Sequence, residues 1–325
     1  MMRGTSTNRL PEQFLRARRF RKVRTPGAAR EAGRRAGFTL MELVITAGLG
    51  VLVLGALYLL LERNVVLFDR GEAKTDVQQS TRIVLEDLGA MLRAAGNGVP
   101  RGTAPAGPAA LYVFYNGITV GGEPLETSAT AVTFLGDVDG TAAQLTSTVS
   151  TGATTVSLAP AQRDYGTSLT GGTNTVVVTD MPLGGGVWAF GQYRGGAGPQ
   201  SSLTIASLQT PSGAAATFNP GGGVAALEVV KYSLQGTNLV RRIGLYGGQT
   251  SATNPVIAWG PAETLLDNVV SFAFTYYDTS NLPVAPPAAP GDQGNIRRVR
   301  VALQARAGLG VPDYTFSIDV RLRAL

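Results

Sequence analysis

"RRAGFTLMELVITAGLGVLVLGALYLLLERN", Arg34 to Asn64, decides how this chain is read. From Phe38 to Leu61 it has 24 residues and one charge, Glu42. A helix of that length reaches roughly 36 Å, enough to cross a hydrocarbon core of about 30 Å. Two other readings compete. A core helix of a soluble protein rarely runs uncharged from Leu43 to Leu61. A secretory signal peptide has an apolar region of about 7–15 residues and then a small-residue cleavage site. Here the run is longer and leads into Glu62-Arg63-Asn64-Val65-Val66, which offers no such site. The expectation is a spanning helix over 38–61. Arg30, Arg34 and Arg35 precede it and belong on the cytoplasmic side, which puts the bulk of the chain on the other.

The charge balance supports a division at the same place. The 325 residues carry a net charge of +6. Residues 1–37 hold 11 basic side chains against Glu12 and Glu31, whereas 38–325 hold 17 basic and 20 acidic ones. The high basicity therefore belongs to the N-terminal stretch, and the rest, at −3, speaks against nucleic acid as a partner. There is no Cys and no His. That removes disulfides, zinc sites built on Cys or His, Cys nucleophiles and Ser-His-Asp triads. No carboxylate pair has recognisable acid/base spacing. The chain reads as a non-enzyme with no cofactor.

Gly37-Phe38-Thr39-Leu40-Met41-Glu42 resembles the processing site of type IV prepilins and pseudopilins: a basic leader ending in Gly, then Phe-Thr-Leu-x-Glu, then an apolar helix. The resemblance implies that a prepilin peptidase removes the leader 1–37 between Gly37 and Phe38 and methylates the new amine of Phe38. It implies that Thr39 and Leu40 belong to the recognised motif. It also implies that Glu42 pairs with the N-terminal amine of a neighbouring subunit during assembly. The physics is compatible. A carboxylate costs about 2.5–3.5 kcal/mol at the centre of a spanning helix and less near an end, and a paired cation offsets much of that cost. The plainer reading is that Glu42 snorkels to the headgroups. Two features depart from the family pattern. No Pro occurs between 38 and 98, and the leader is long; a start at Val23 would shorten it.

Beyond Leu61 the spacing of Val77, Thr81, Val84, Leu88, Met91 and Ala95 marks one face of a helix, and Gly96-Asn97-Gly98-Val99-Pro100 is a stop signal. One helix over about 38–95 is expected, within a segment 38–98, with Gly71 as a place to bend. "QQSTRIVLEDLGAMLRAAGNG" (78–98) resembles the end of that helix in minor pilins and pseudopilins of the PilW and GspJ type.

Residues 99–325 read as a β-rich head of short antiparallel strands separated by Gly, Pro, Asn and Asp. Strands are expected at Leu111–Tyr115, Ala131–Leu135, Thr154–Leu158, Thr175–Thr179, Val187–Phe190, Leu203–Leu208, Leu227–Leu234, Leu239–Ile243, Val269–Tyr277, Ile296–Ala305 and Tyr314–Arg323. The hairpin "LEVVKYSLQGTNLVRRIG" and the last three strands resemble PilW-like proteins. Residues 136–222 look like an insertion, a second β subdomain, with Gly184-Gly185-Gly186 and Gly221-Gly222-Gly223 as loops and Pro283–Pro290 as a stiff surface loop. Gly136-Asp137-Val138-Asp139-Gly140 lacks the twelfth-position Glu of a calcium loop and reads as a turn. Arg241-Arg242 and Arg297-Arg298 read as solvated strand faces. Tyr276-Tyr277, Trp188 and Trp259 read as core or contact aromatics.

The fold class expected is α+β: a long N-terminal helix, membrane-spanning in its first half, packed on an antiparallel β-rich pilin-like head. The function implied by the resemblance is that of a minor pilin. A minor pseudopilin of type II secretion, a DNA-uptake pilin and an ordinary single-pass protein with a binding head are the alternatives. The partners implied are prepilin peptidase, other pilin or pseudopilin subunits, the inner-membrane assembly platform and, before assembly, membrane lipid.

Overall fold

A computed structural model describes residues 37–100, 118–159, 175–181, 185–195, 201–251, 254–285, 296–308 and 313–322. The chain is α+β: one long apolar N-terminal helix and a β-rich part built of antiparallel sheets. It divides into two units, Met1–Leu61 and Glu62–Leu325. The helix α1, Leu40–Ala94, contributes to both.

In the first unit every described residue, Gly37 to Leu61, is exposed. Leu, Val and Ile side chains cover this part of α1 on all sides, and no described residue buries them. The helix is long and apolar enough to cross a membrane. Gly48, Gly50 and Gly55 face open space, so their small size answers to nothing inside the chain.

In the second unit the same helix becomes one-sided. Thr81, Val84, Leu85, Leu88, Gly89 and Leu92 are buried. Leu85 and Leu92 widen the face that the sequence spacing marked, as expected of a helix laid against sheets rather than along a narrow seam. Val77 and Met91 sit at its margin. Gly89 lets Ile318 approach; a Cβ there would meet Ile318 Cδ1 at 3.0 Å. The helix stops at Ala94 because Gly96 and Gly98 take positive φ (76° and 68°). The backbone N–H of Gly96 then donates to the Leu135 carbonyl (2.9 Å), and that of Asp137 to the Asn97 carbonyl (2.9 Å). The helix end is thereby bonded to the strand Ala131–Gly136.

That strand is the edge of a central antiparallel sheet in the order Asn254–Trp259, Asn238–Ser251, Glu228–Gln235, Ala131–Gly136; Glu263–Leu266 also pairs with Asn238–Ser251. Gln235 pairs with Asn238 across a tight turn at Gly236, whose φ is 64°. A C-terminal sheet has the order Pro283–Val284, Val269–Tyr277, Arg298–Ala305, Tyr314–Arg321. Its alternation is clean: Val299, Val301 and Leu303 are fully buried, while Arg298, Arg300, Ala302 and Gln304 face outward. Helix, central sheet and C-terminal sheet share one core, in which Leu88, Phe134, Tyr232, Phe272 and Val301 meet.

The insertion leaves after Gly136 and returns at Glu228, and these two residues are register partners. Between them lies a six-stranded antiparallel sheet in the order Ala143–Gln144, Gly223–Ala226, Thr175–Met181, Gly185–Gly195, Ser202–Ile205, Thr155–Ser157. One face, with Val176, Val178, Ala189 and Ile205, forms a core of its own. The other, with Val177, Trp188 and Ala225, packs on Leu135, Val229 and Tyr246 of the central sheet. The strand Ala131–Gly136 is therefore buried on both faces, at every residue.

Several sequence expectations need correction. Gly223, expected in a loop with Gly221 and Gly222, instead opens the strand Gly223–Ala226. Gly185 and Gly186 open a strand instead of a loop. Pro283–Val284 pairs with Tyr276 and Tyr277 at a sheet edge, where the missing Pro N–H costs nothing. The expected strand Leu111–Tyr115 lies outside the described residues.

Candidate processing and assembly site

The hexapeptide Gly37–Glu42 sits at the start of α1. Leu40 is the first helical residue, and Thr39 is the N-cap. The Thr39 hydroxyl accepts the Glu42 backbone N–H at 3.3 Å, and the Thr39 carbonyl accepts that of Leu43 at 3.2 Å. Glu42 is thus the third helical residue, an acid in the first turn, where the helix dipole favours negative charge. Thr46 closes the next turn, its hydroxyl donating to the Glu42 carbonyl at 2.8 Å.

Thr39-Leu40-Met41-Glu42 has the Thr-x-x-Glu spacing of a capping box. Besides belonging to the motif, Thr39 therefore caps the helix locally through the Glu42 backbone N–H. The spacing alone could have revealed it. Around the cap everything is open: Phe38 is 78% exposed and Leu40 83%. A Cβ on Gly37 would meet nothing within 4 Å, so no contact inside the protein requires glycine there. Gly37, Phe38, Thr39, Leu40, Met41 and Glu42 are contiguous and exposed.

The other sequence candidates resolve into structure. Asp137 is buried, and both its carboxylate oxygens are engaged. Oδ1 accepts from Thr141 N (2.6 Å) and Oγ1 (2.9 Å), and Oδ2 accepts from Ala142 N (2.8 Å). Burial raises its pKa against those bonds. It closes the turn where the insertion leaves. Among the described residues no three His, Cys, Asp or Glu are placed to hold a metal.

Arg241 and Arg242 are not a solvated face. Arg241 reaches Asp87 of α1 at 2.7 Å and Glu263 at 2.7 Å, and the Tyr232 hydroxyl donates to Asp87 at 3.3 Å. Arg242 and Lys231 both bind Glu123, which arrives on a separate hairpin, Ile118–Val120 with Glu123–Leu125. Arg298 is likewise half-buried, its guanidinium 3.8 Å from the centre of the Tyr277 ring. Trp188 and Tyr276 are buried core, and Trp259 donates to the Val120 carbonyl at 2.9 Å.

These observations define a class: an α+β chain with one helix able to cross a membrane and a β-rich part stitched to that helix's end. The chain matches no family model and no curated protein.

Proposed function

We propose that this chain is a minor pilin, a non-enzymatic subunit of a type IV pilus. It is inserted in the bacterial inner membrane through residues 38–61, with its N-terminus cytoplasmic and its head periplasmic or extracellular. Prepilin peptidase cuts after Gly37 and methylates Phe38. The exposed apolar helix then passes from lipid into a filament core, where Glu42 meets the terminal amine of a neighbour. The observation that carries this reading is the Gly37–Glu42 motif, in register with the first turn of a helix whose apolar surface no described residue covers.

A minor pseudopilin of a type II secretion system and a DNA-uptake pilin share the same first step. Loss of pilus-dependent motility, of enzyme secretion or of DNA uptake in a deletion strain distinguishes the three. The reading itself is tested by co-expression with a prepilin peptidase and mass spectrometry of the product. The expected product begins at N-methylated Phe38, and Gly37→Ala stays at precursor mass. A mature chain that retains residues 1–37 ends the proposal.

A further inference from the structure

The central and C-terminal sheets each contain a pair of cations placed directly opposite one another. In the central sheet Lys231 and Arg242 are register partners. In the C-terminal sheet Arg298 and Arg321 are. Directly opposed side chains have Cβ atoms about 4.5–5.5 Å apart, and like charges there are destabilising. The first pair is relieved inside the molecule: Glu123 spans both cations, 2.8 Å from Lys231 Nζ and hydrogen-bonded to Arg242. The second pair has no such bridge among the described residues. The nearest acid, Asp319, belongs to Arg300, which grips it with Nε at 3.1 Å and a terminal nitrogen at 3.0 Å; Arg298 lies 3.6 Å away. Arg321 is exposed, and among the described residues no carboxylate pairs with it. Tyr277 braces the Arg298 guanidinium, whose Nε is buried without an acceptor.

These residues share the outward face of the C-terminal sheet, where Thr275, Ala273, Ala302 and Ser317 leave a level surface beside them. Charge is polarised to match. Residues 296–325 hold six basic and two acidic side chains, whereas 38–295 hold 11 basic and 18 acidic.

We propose that Arg298 and Arg321 form a docking point for a carboxylate of another protein, presented on an acidic segment, in the way Glu123 serves Lys231 and Arg242. A protein carboxylate fits better than a nucleic-acid backbone, because one opposed pair of cations matches a single carboxylate, as Glu123 does for Lys231 and Arg242, and offers no extended track for successive phosphates. The proposal does not depend on the pilin reading, since the site lies on the β-rich unit and needs no leader cleavage.

The test uses the full chain in detergent and a fluorescein-labelled Glu-Ser repeat peptide, read by anisotropy. Wild type should bind it in a salt-sensitive way. Arg298→Gln with Arg321→Gln should weaken binding about fivefold or more, while Arg306→Gln, beyond the far end of the strand, should not. Arg321→Glu should abolish binding and raise Tm, because the new carboxylate faces Arg298. Equal binding by the double variant, tighter Arg298-dependent binding of duplex DNA, or a lower Tm for Arg321→Glu overturns the proposal.

Discussion

Gly136 and Glu228 face each other across adjacent antiparallel strands, and the chain between them builds an entire layer of the β-rich unit. What would otherwise be a hairpin turn has become a sheet that folds back over the strands it springs from. Gly136 also lies against the end of α1: a Cβ there would sit 2.4 Å from the Ala94 carbonyl oxygen, which is backbone and cannot swing aside. Helix end, central sheet and insertion therefore meet at one residue that must stay small. Gly136→Ala should destabilise the β-rich unit by about 2–3 kcal/mol, read by urea unfolding with Trp188 and Trp259 fluorescence. Gly122→Ala, where a Cβ meets nothing but φ is +82°, gives the backbone-strain comparison.

Asp87 and Arg241 tie the helix to the central sheet through a second kind of contact. Arg241 is mostly buried and bridges Asp87 and Glu263, while Tyr232 donates to Asp87. Asp87→Ala takes one carboxylate from the arginine and removes the acceptor of the Tyr232 hydroxyl, which keeps only its bond with Arg241. The loss should be about 1–2 kcal/mol, held down because Asp87 itself is partly exposed. In a double-mutant cycle with Arg241→Ala the two losses should not add; full additivity would show that the contact carries no coupling.

The long helix was legible because its signals are local: an uncharged run, a 3–4 spacing, a double-glycine stop. The closing strands were legible because one face alternates Val299, Val301, Leu303 against Arg298, Arg300, Ala302. Two strands were not: Gly185–Gly195 hides a local hairpin with Thr175–Met181 behind its glycines, and Gly223–Ala226 is a short glycine- and alanine-rich strand whose partner, Val176–Val178, lies more than 40 residues earlier. The arginine pairs misled for the same reason. That Glu123 binds Lys231 and Arg242 is a fact about register and about a hairpin more than 100 residues earlier, which no spacing rule contains.

Glu228 should make stability pH-dependent in an unusual direction. It is buried where the insertion returns, and burial, with Asp139 and Asp137 nearby, pushes its pKa from 4.5 up to about 9, against the Val138 N–H bond. The folded protein therefore holds a proton that the unfolded chain releases above pH 4.5. Between pH 4.5 and 9 the native state binds more protons, so this group's contribution to stability is full below 4.5 and falls as pH rises to about 9. Glu228→Gln stays neutral and can still accept from Val138. Its Tm should exceed wild type by at least about 2 °C at pH 8 and converge with it near pH 4.5. A constant offset at all pH values would mean that the side chain's shape, not its proton, matters.

Glu42 separates two explanations of the same six residues. As the third residue of a capping box it acts within its own helix, and glutamine fills that place nearly as well as glutamate. As the partner of a neighbour's terminal amine it acts through charge, and glutamine supplies none. Glu42→Gln should therefore leave the start of α1 intact, with amide-exchange protection at Leu43 and Val44 within about twofold of wild type. Leader removal at Gly37 should be unaffected, while entry into filaments should fall at least about tenfold, as for Glu42→Ala. Thr39→Ala should do the reverse, loosening the first turn by about 0.5–2 kcal/mol while the mature chain still assembles. If Glu42→Gln assembles like wild type and Thr39→Ala does not, the acid is a cap and the proposed contact between subunits is lost.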